Sequence, residues 1–172
     1  RQRQMCIRDS YWIGLIPVIL YRLAFEDGFY ERIKQSAGYM PASLLKKIEG
    51  RRAIWIHAAS VGEIVATSPL VKEVKKEFPE AVVVVSVVTA TGHAMAHRII
   101  PEAEGIIFFP LDLPYLTRKI LHIIKPITIL LVETEIWPNF LRIAQSENIP
   151  VMMVNGRISD RSMKRYKYIL SL

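Results

Sequence analysis

Chemistry-bearing residues in this chain fall in one recurring place, directly after apolar runs. Ser60-Val61-Gly62-Glu63 follows Ile54–Ala59, Thr89-Ala90-Thr91-Gly92 follows a valine run, and Glu133-Thr134-Glu135 follows an aliphatic run. Asn155-Gly156-Arg157-Ile158-Ser159 follows a fourth apolar run. A carboxylate at such a turn can take a proton from a bound hydroxyl. Hydroxyls and glycines opening a helix can hold phosphate or sugar oxygens through backbone N–H groups. An arginine there can pair with phosphate or with a carboxylate.

Each of these residues also has a plainer reading. Ser60 and Glu63 have capping-box spacing, in which the serine oxygen accepts from the Glu63 backbone N–H and the carboxylate reaches back. Gly62 would let a ligand approach the backbone closely. Thr89 can be an ordinary N-cap, with Thr91 and Gly92 in the first turn. Arg157 can be a solvated cation beside a capped helix. Glu133 and Glu135 resist the plain reading most, because carboxylates next to a buried strand cost free energy unless paired, hydrogen-bonded or protonated. Pro110-Leu111-Asp112-Leu113-Pro114 reads as structural, an N-cap-like Asp and a helix-opening Pro.

The elements that must position these residues alternate. Strands are expected at Ala53–Ala58, Ala81–Val88, Gly105–Phe109, Ile127–Val132 and Pro150–Asn155, near-continuous Val/Ile-rich runs of the kind buried on both faces. Helical patterns lie between them at Gly62–Phe78, His93–Ile100, Pro114–Ile124 and Trp137–Glu147, and another begins near Asp160. Alternation of this kind implies βαβ crossovers and a parallel sheet. The expectation is an α/β, Rossmann-like, doubly wound fold, in which ligands bind beyond the carboxyl ends of the strands.

Composition narrows the function class. The chain has 172 residues, 51% hydrophobic and 23% charged, with a net charge of +7, so it can bury a core and favours acidic partners. Cys6 is the single cysteine, which excludes an internal disulfide and a zinc framework. His93 and His97 are four apart without the glutamate of a metalloprotease helix, and read as surface histidines. No P-loop or GxGxxG occurs.

The first half is less regular. Residues 1–10 are polar and aperiodic and are expected to be non-native. Residues 11–35 read as a membrane-proximal apolar and amphipathic segment, with Tyr11, Trp12 and Tyr21 at the edges of its apolar part; the end of a membrane anchor, an interfacial stretch and a buried helix all fit the pattern, and the aromatic edges favour membrane association. Residues 36–52 read as a basic connector, and residues 53–172 as the Rossmann-like domain. The chain stops inside an apolar helical pattern, so it is expected to be a fragment.

Taken in order, the Trp55–Glu63, Thr89–Gly92, Pro110–Pro114, Glu133–Asn139 and Asn155–Ser159 blocks resemble the Kdo (3-deoxy-D-manno-octulosonic acid) transferases. The resemblance covers roughly residues 11–172. It implies the N-terminal, acceptor-binding half of a GT-B glycosyltransferase, with the donor half absent. It further implies inverting transfer of Kdo from CMP-Kdo to a lipid A precursor (lipid IVA) at the cytoplasmic face of the bacterial inner membrane, without cofactor or catalytic metal. By similarity Glu63 would be the general base and Glu133 would stabilise the transition state. Ser60, Gly62, Thr89, Thr91, Gly92, Glu135 and Arg157 would serve the acceptor. The implied partners are CMP-Kdo, the lipid acceptor and the membrane surface, not nucleic acid. Two alternatives are another GT-B transferase with a different acceptor, and a non-catalytic module that binds anionic lipid. Gly156 stands where the family commonly has alanine.

Overall fold

The structure, a computed structural model, describes residues 28–133 and 136–156. Five strands form one parallel sheet: β1 (Ala53–His57), β2 (Val82–Val87), β3 (Gly105–Phe108), β4 (Pro126–Val132) and β5 (Val151–Val154). Their order is β3-β2-β1-β4-β5. The chain therefore builds outward from β1 to one edge, returns to the other side of β1, and builds outward again. That reversal puts the topological switch point between β1 and β4, where an open α/β sheet has its crevice.

Among the described residues six helices accompany the strands: α1 (Phe29–Ser36), α2 (Ala42–Ile48), α3 (Val61–Glu77), α4 (Ala90–Ile99), α5 (Pro114–Ile124) and α6 (Pro138–Ser146). Strand side chains alternate between two layers. Ile54, Ile56, Val83 and Val85 pack with Ile64 and Val71 of α3 and Ala96 of α4. Trp55, Val84, Ile129 and Leu131 pack on the opposite face with Leu44, Ile120, Leu121, Phe140 and Ile143 of α2, α5 and α6. Helices on both faces are what near-continuous apolar strands require, and the Rossmann-like α/β fold follows. β5 departs from the expected double burial, since Met152 and Met153 are exposed at the edge position.

The strands and helices expected from the sequence all occur where their residues are described, with ends shifted by at most three residues. α4 begins at Ala90 rather than His93 because Thr89 caps it. The helix expected near Asp160 lies outside the described residues, as does residues 11–27 of the membrane-proximal segment.

The connector expected at residues 36–52 is corrected. It contains α2, whose Leu44 and Ile48 are buried in the core, one turn apart on a single face. Lysines at 46 and 47 masked that face. A Cβ on Gly105 would collide with the Leu44 side chain, so glycine at the start of β3 allows α2 to sit there. α1 covers the β3 edge: the Phe108 N–H donates to Gln35 Oε1 at 3.0 Å, and the Ser36 hydroxyl donates to the Phe109 carbonyl at 2.8 Å. An edge strand needs such cover.

Candidate functional site at the carboxyl ends of β1 and β4

After β1 the chain turns straight into α3. Ser60 is the N-cap, and its Oγ accepts from the Glu63 N–H at 3.3 Å. The Glu63 carboxylate returns the contact, accepting from the Ser60 hydroxyl at 2.7 Å and from the Ala59 N–H at 2.7 Å. The capping reading is therefore realised, with Ala59 rather than Ser60 supplying the backbone donor. Glu63 is 6% exposed, and two short bonds from donors suit an ionised carboxylate, which only accepts. Each oxygen retains a second lone pair, so capping leaves room for a proton from a bound hydroxyl. Gly62 is exposed, and a Cβ there would meet only Ser60 Oγ at 4.0 Å. Packing does not demand glycine at this position, and the space above the turn stays open.

The neighbouring β2 turn is built for helix packing. Thr89 Oγ1 accepts from the Gly92 N–H at 3.1 Å and lies 3.2 Å from Thr91 Oγ1. A Cβ on Gly92 would stand 3.0 Å from Ile64 Cδ1, so this glycine sets the approach of α4 to α3. Both threonines are exposed at the sheet's carboxyl edge. His93 is not the surface residue expected: it is half-buried and stacked on Phe108 at 4.6 Å, with His97 edge-on at 4.7 Å. Burial, then the neighbouring His97, lowers its pKa.

The exit of β4 is different. Glu133 follows Val132 with φ 62°, a left-handed conformation uncommon for a side-chain-bearing residue. Its N–H donates to the Val154 carbonyl at 2.9 Å, so the strand pairing persists to this residue. Its half-buried carboxylate has no hydrogen-bond partner among the described residues. Such backbone conformations persist only where the surroundings enforce them, and they collect at functional sites.

α6 then opens with Pro138 after Trp137, a residue with no capping side chain. The cap comes from another loop. Asp112 Oδ1 accepts from the Phe140 N–H at 2.8 Å, and Oδ2 accepts from the Asn139 N–H at 3.2 Å. The Asn139 side-chain amide donates to the Asp112 carbonyl at 2.8 Å and approaches Oδ2 at 3.4 Å. The expectation that Asp112 caps its own following helix is thus corrected: α5 has no side-chain cap, and the carboxylate serves α6. A signal existed in the sequence, since a helix opening Trp-Pro must find its cap elsewhere.

An aromatic floor lies beneath these turns. His57, fully buried, stacks on Phe109 at 4.0 Å, and Phe109 meets Trp137 at 5.2 Å. His57 Nδ1 lies 3.2 Å from the Ser86 carbonyl and 3.0 Å from Ser86 Oγ, which also accepts from the Trp55 indole N–H at 2.8 Å. A carbonyl can only accept, so the tautomer that satisfies it carries its proton on Nδ1. Burial pushes the His57 pKa down to about 4, against a smaller opposing effect of the Ser86 carbonyl. His57 Nε2 and Trp137 Nε1 are buried without a hydrogen-bond partner among the described residues. A cavity of about 200 Å³ is lined by Arg32, Ser36, Val88, Phe109, Asp112 and Trp137.

Ser60, Gly62 and Glu63 therefore share one turn, and Thr89, Thr91 and Gly92 share the next. Glu133 follows the strand on the other side of β1. Glu135 and Arg157 lie outside the described residues. Asp112, Asn139 and His57 were not picked out as site residues from the sequence. Among the described residues no three His, Cys, Asp or Glu side chains gather as a metal site would require.

Residues 30–172 match the family described as 3-deoxy-D-manno-octulosonic-acid transferase (kdotransferase). The 3-deoxy-D-manno-octulosonic acid transferase of Haemophilus influenzae is 34% identical over 159 residues, 90% of this chain and 34% of that protein. The enzyme of the same name from Chlamydophila psittaci is 33% identical over 159 residues, 91% of this chain and 36% of that protein. A bifunctional glycosyltransferase/methyltransferase of Fusobacterium nucleatum is 40% identical over 116 residues, 66% of this chain and 18% of that protein. The chain spans about a third of the length of the two transferases it matches.

Proposed function

The chain belongs to the 3-deoxy-D-manno-octulosonic-acid transferase family, and from that membership we propose that it is the acceptor-side domain of an inverting Kdo transferase. The complete protein moves Kdo from CMP-Kdo to a lipid A precursor in lipopolysaccharide biosynthesis. Glu63 takes the proton from the acceptor hydroxyl. The hydroxyl oxygen bonds to the anomeric carbon of Kdo while the bond to the CMP phosphate breaks and CMP departs. Glu133 lies near the positive charge that develops on the sugar, where a fixed negative group lowers the barrier. No cofactor or metal enters this scheme. Thr89, Thr91, Gly62 and Ser60 hold acceptor oxygens at the rim, and Glu135 and Arg157 complete the acceptor contacts.

The observation that carries this reading is the pair of carboxylate turns on adjacent strands at the switch point. Glu63 follows β1 and Glu133 follows β4, strands that pair in parallel with His57 opposite Leu131. The surroundings suit a membrane-bound acceptor. Tyr30 and Ile33 on α1, and Leu111, Leu113 and Tyr115 before and at the start of α5, are exposed. Lys34 lies 5.3 Å from the Tyr30 ring, and Lys119 4.4 Å from the Tyr39 ring. Aromatic and basic residues together suit an anionic lipid surface at the cytoplasmic face of the inner membrane. No helix among the described residues is long and apolar enough to cross a membrane.

The test is transfer of labelled Kdo from CMP-Kdo to lipid IVA by the complete reading frame containing this chain. Labelled lipid product is expected. Binding of lipid IVA without transfer would favour the non-catalytic module, and transfer only to another acceptor would favour a different glycosyltransferase.

A further inference from the structure

Glu133, after β4, and the first turn of α6 are each held by a partner distant in the sequence. Glu133 is tied to β5 by the 2.9 Å bond to Val154. The first turn of α6 is held by Asp112, which lies in the loop after β3, on the far side of β2 and β1 from β5. Four contacts join Asp112 and the Asn139–Phe140 pair, two of them at 2.8 Å. Among the described residues nothing local replaces them, because Trp137 offers no capping group and Pro138 no N–H. The negative carboxylate also sits at the positive end of α6, the favoured sign.

We infer that Asp112 is a positioning residue for the transfer reaction: by capping α6 from the β3 loop through Asn139 and Phe140, it fixes the helix start that follows Glu133 closely in sequence, and so restrains where Glu133 stands. It touches no reacting atom. Trp137 packs on Phe109 at 5.2 Å, so the clamp also fixes the aromatic wall of the crevice. Glu133 stands in a left-handed conformation that persists only where its surroundings hold it. The inference rests on the transfer reaction proposed above.

The experiment uses the complete protein. Asp112→Ala and Asp112→Asn are compared with the unaltered protein by steady-state transfer kinetics, and by hydrogen exchange of peptides covering residues 133–142. With alanine, exchange in those peptides should rise, and kcat should fall roughly 10–100-fold, the scale of a small misplacement of catalytic groups. KM for both substrates should stay within about threefold, since binding groups are untouched. Asparagine keeps an oxygen for the Phe140 N–H and should recover part of the lost kcat.

If the alanine protein does not fold, the asparagine protein decides, with an intermediate loss of kcat expected. Near-wild-type kcat in a folded Asp112 variant would overturn the inference, even if its thermal stability drops. So would a loss confined to KM, or a kcat loss without faster exchange in these peptides. An unaltered protein that transfers no Kdo would overturn the reaction itself and this role with it, an outcome separate from an active enzyme indifferent to Asp112.

Discussion

The two strand-end carboxylates are built in opposite ways. Glu63 is buried, sits in a regular helix turn, and has both oxygens engaged at 2.7 Å. Glu133 is half-buried, stands in a left-handed conformation, and has no partner for its carboxylate among the described residues. The first is stabilising where it stands, because it closes a cap. The second is held at a cost by its neighbours. Two carboxylates in two environments can take two roles. A base gains from fixed hydrogen bonds that aim it, while a charge stabiliser gains from a carboxylate that no protein donor already neutralises.

That contrast can be broken in several places. Glu133→Gln in the complete protein should lower kcat for transfer about 100- to 1000-fold, the usual cost of one preorganised electrostatic group, and leave the melting temperature unchanged. A comparable fall in stability would mean that Glu133 is structural after all.

The β1 end should also show a pH signature. Its His57 has a pKa of about 4 in the fold, below the unfolded value of about 6.5. The unfolded chain binds the proton first, so stability is complete above pH 6.5 and declines as pH falls toward 4, by up to about 3 kcal/mol. Denaturant melts of the 172-residue chain across that range should show the slope, and His57→Leu should flatten it. An unchanged slope in His57→Leu would show that other groups carry it.

Smaller effects separate the two turns by sign. Ser60→Ala removes the N-cap of α3 and should destabilise the chain by about 1 kcal/mol. Glu133→Gly relieves a left-handed residue and should stabilise it by about 1 kcal/mol while harming transfer. Equal signs in urea melts would erase the distinction drawn between the turns.

The sheet was legible because both of its faces are buried, which leaves long Val and Ile runs in the sequence. Helix starts were legible where the signal is local, as at the Ser60 cap of α3 and the opening Pro114 of α5. Tertiary capping was not. Asp112 precedes α5 in sequence and serves α6 in space, and a linear pattern assigns a cap to the helix that follows it. α2 was hidden for a related reason, since two buried side chains among lysines in a seven-residue helix make a weak period. At the site, the carboxylate and hydroxyl turns could be read individually. Their gathering around the β1/β4 crevice depends on strand order, which periodicity does not contain. The left-handed backbone at Glu133 leaves no mark in residue types, because the sequence offers glutamate where glycine would be the unstrained choice.

In the proposed reaction the capped, buried carboxylate of the β1 turn is the proton acceptor. Glu63→Gln preserves the size of that side chain and its Oε1 acceptor while removing the basic oxygen. The rate of Kdo transfer from CMP-Kdo to lipid IVA by the folded complete protein should fall about 100- to 10,000-fold with this substitution. A Glu63→Gln protein that keeps its fold and transfers Kdo within a few-fold of the unaltered enzyme would contradict the account.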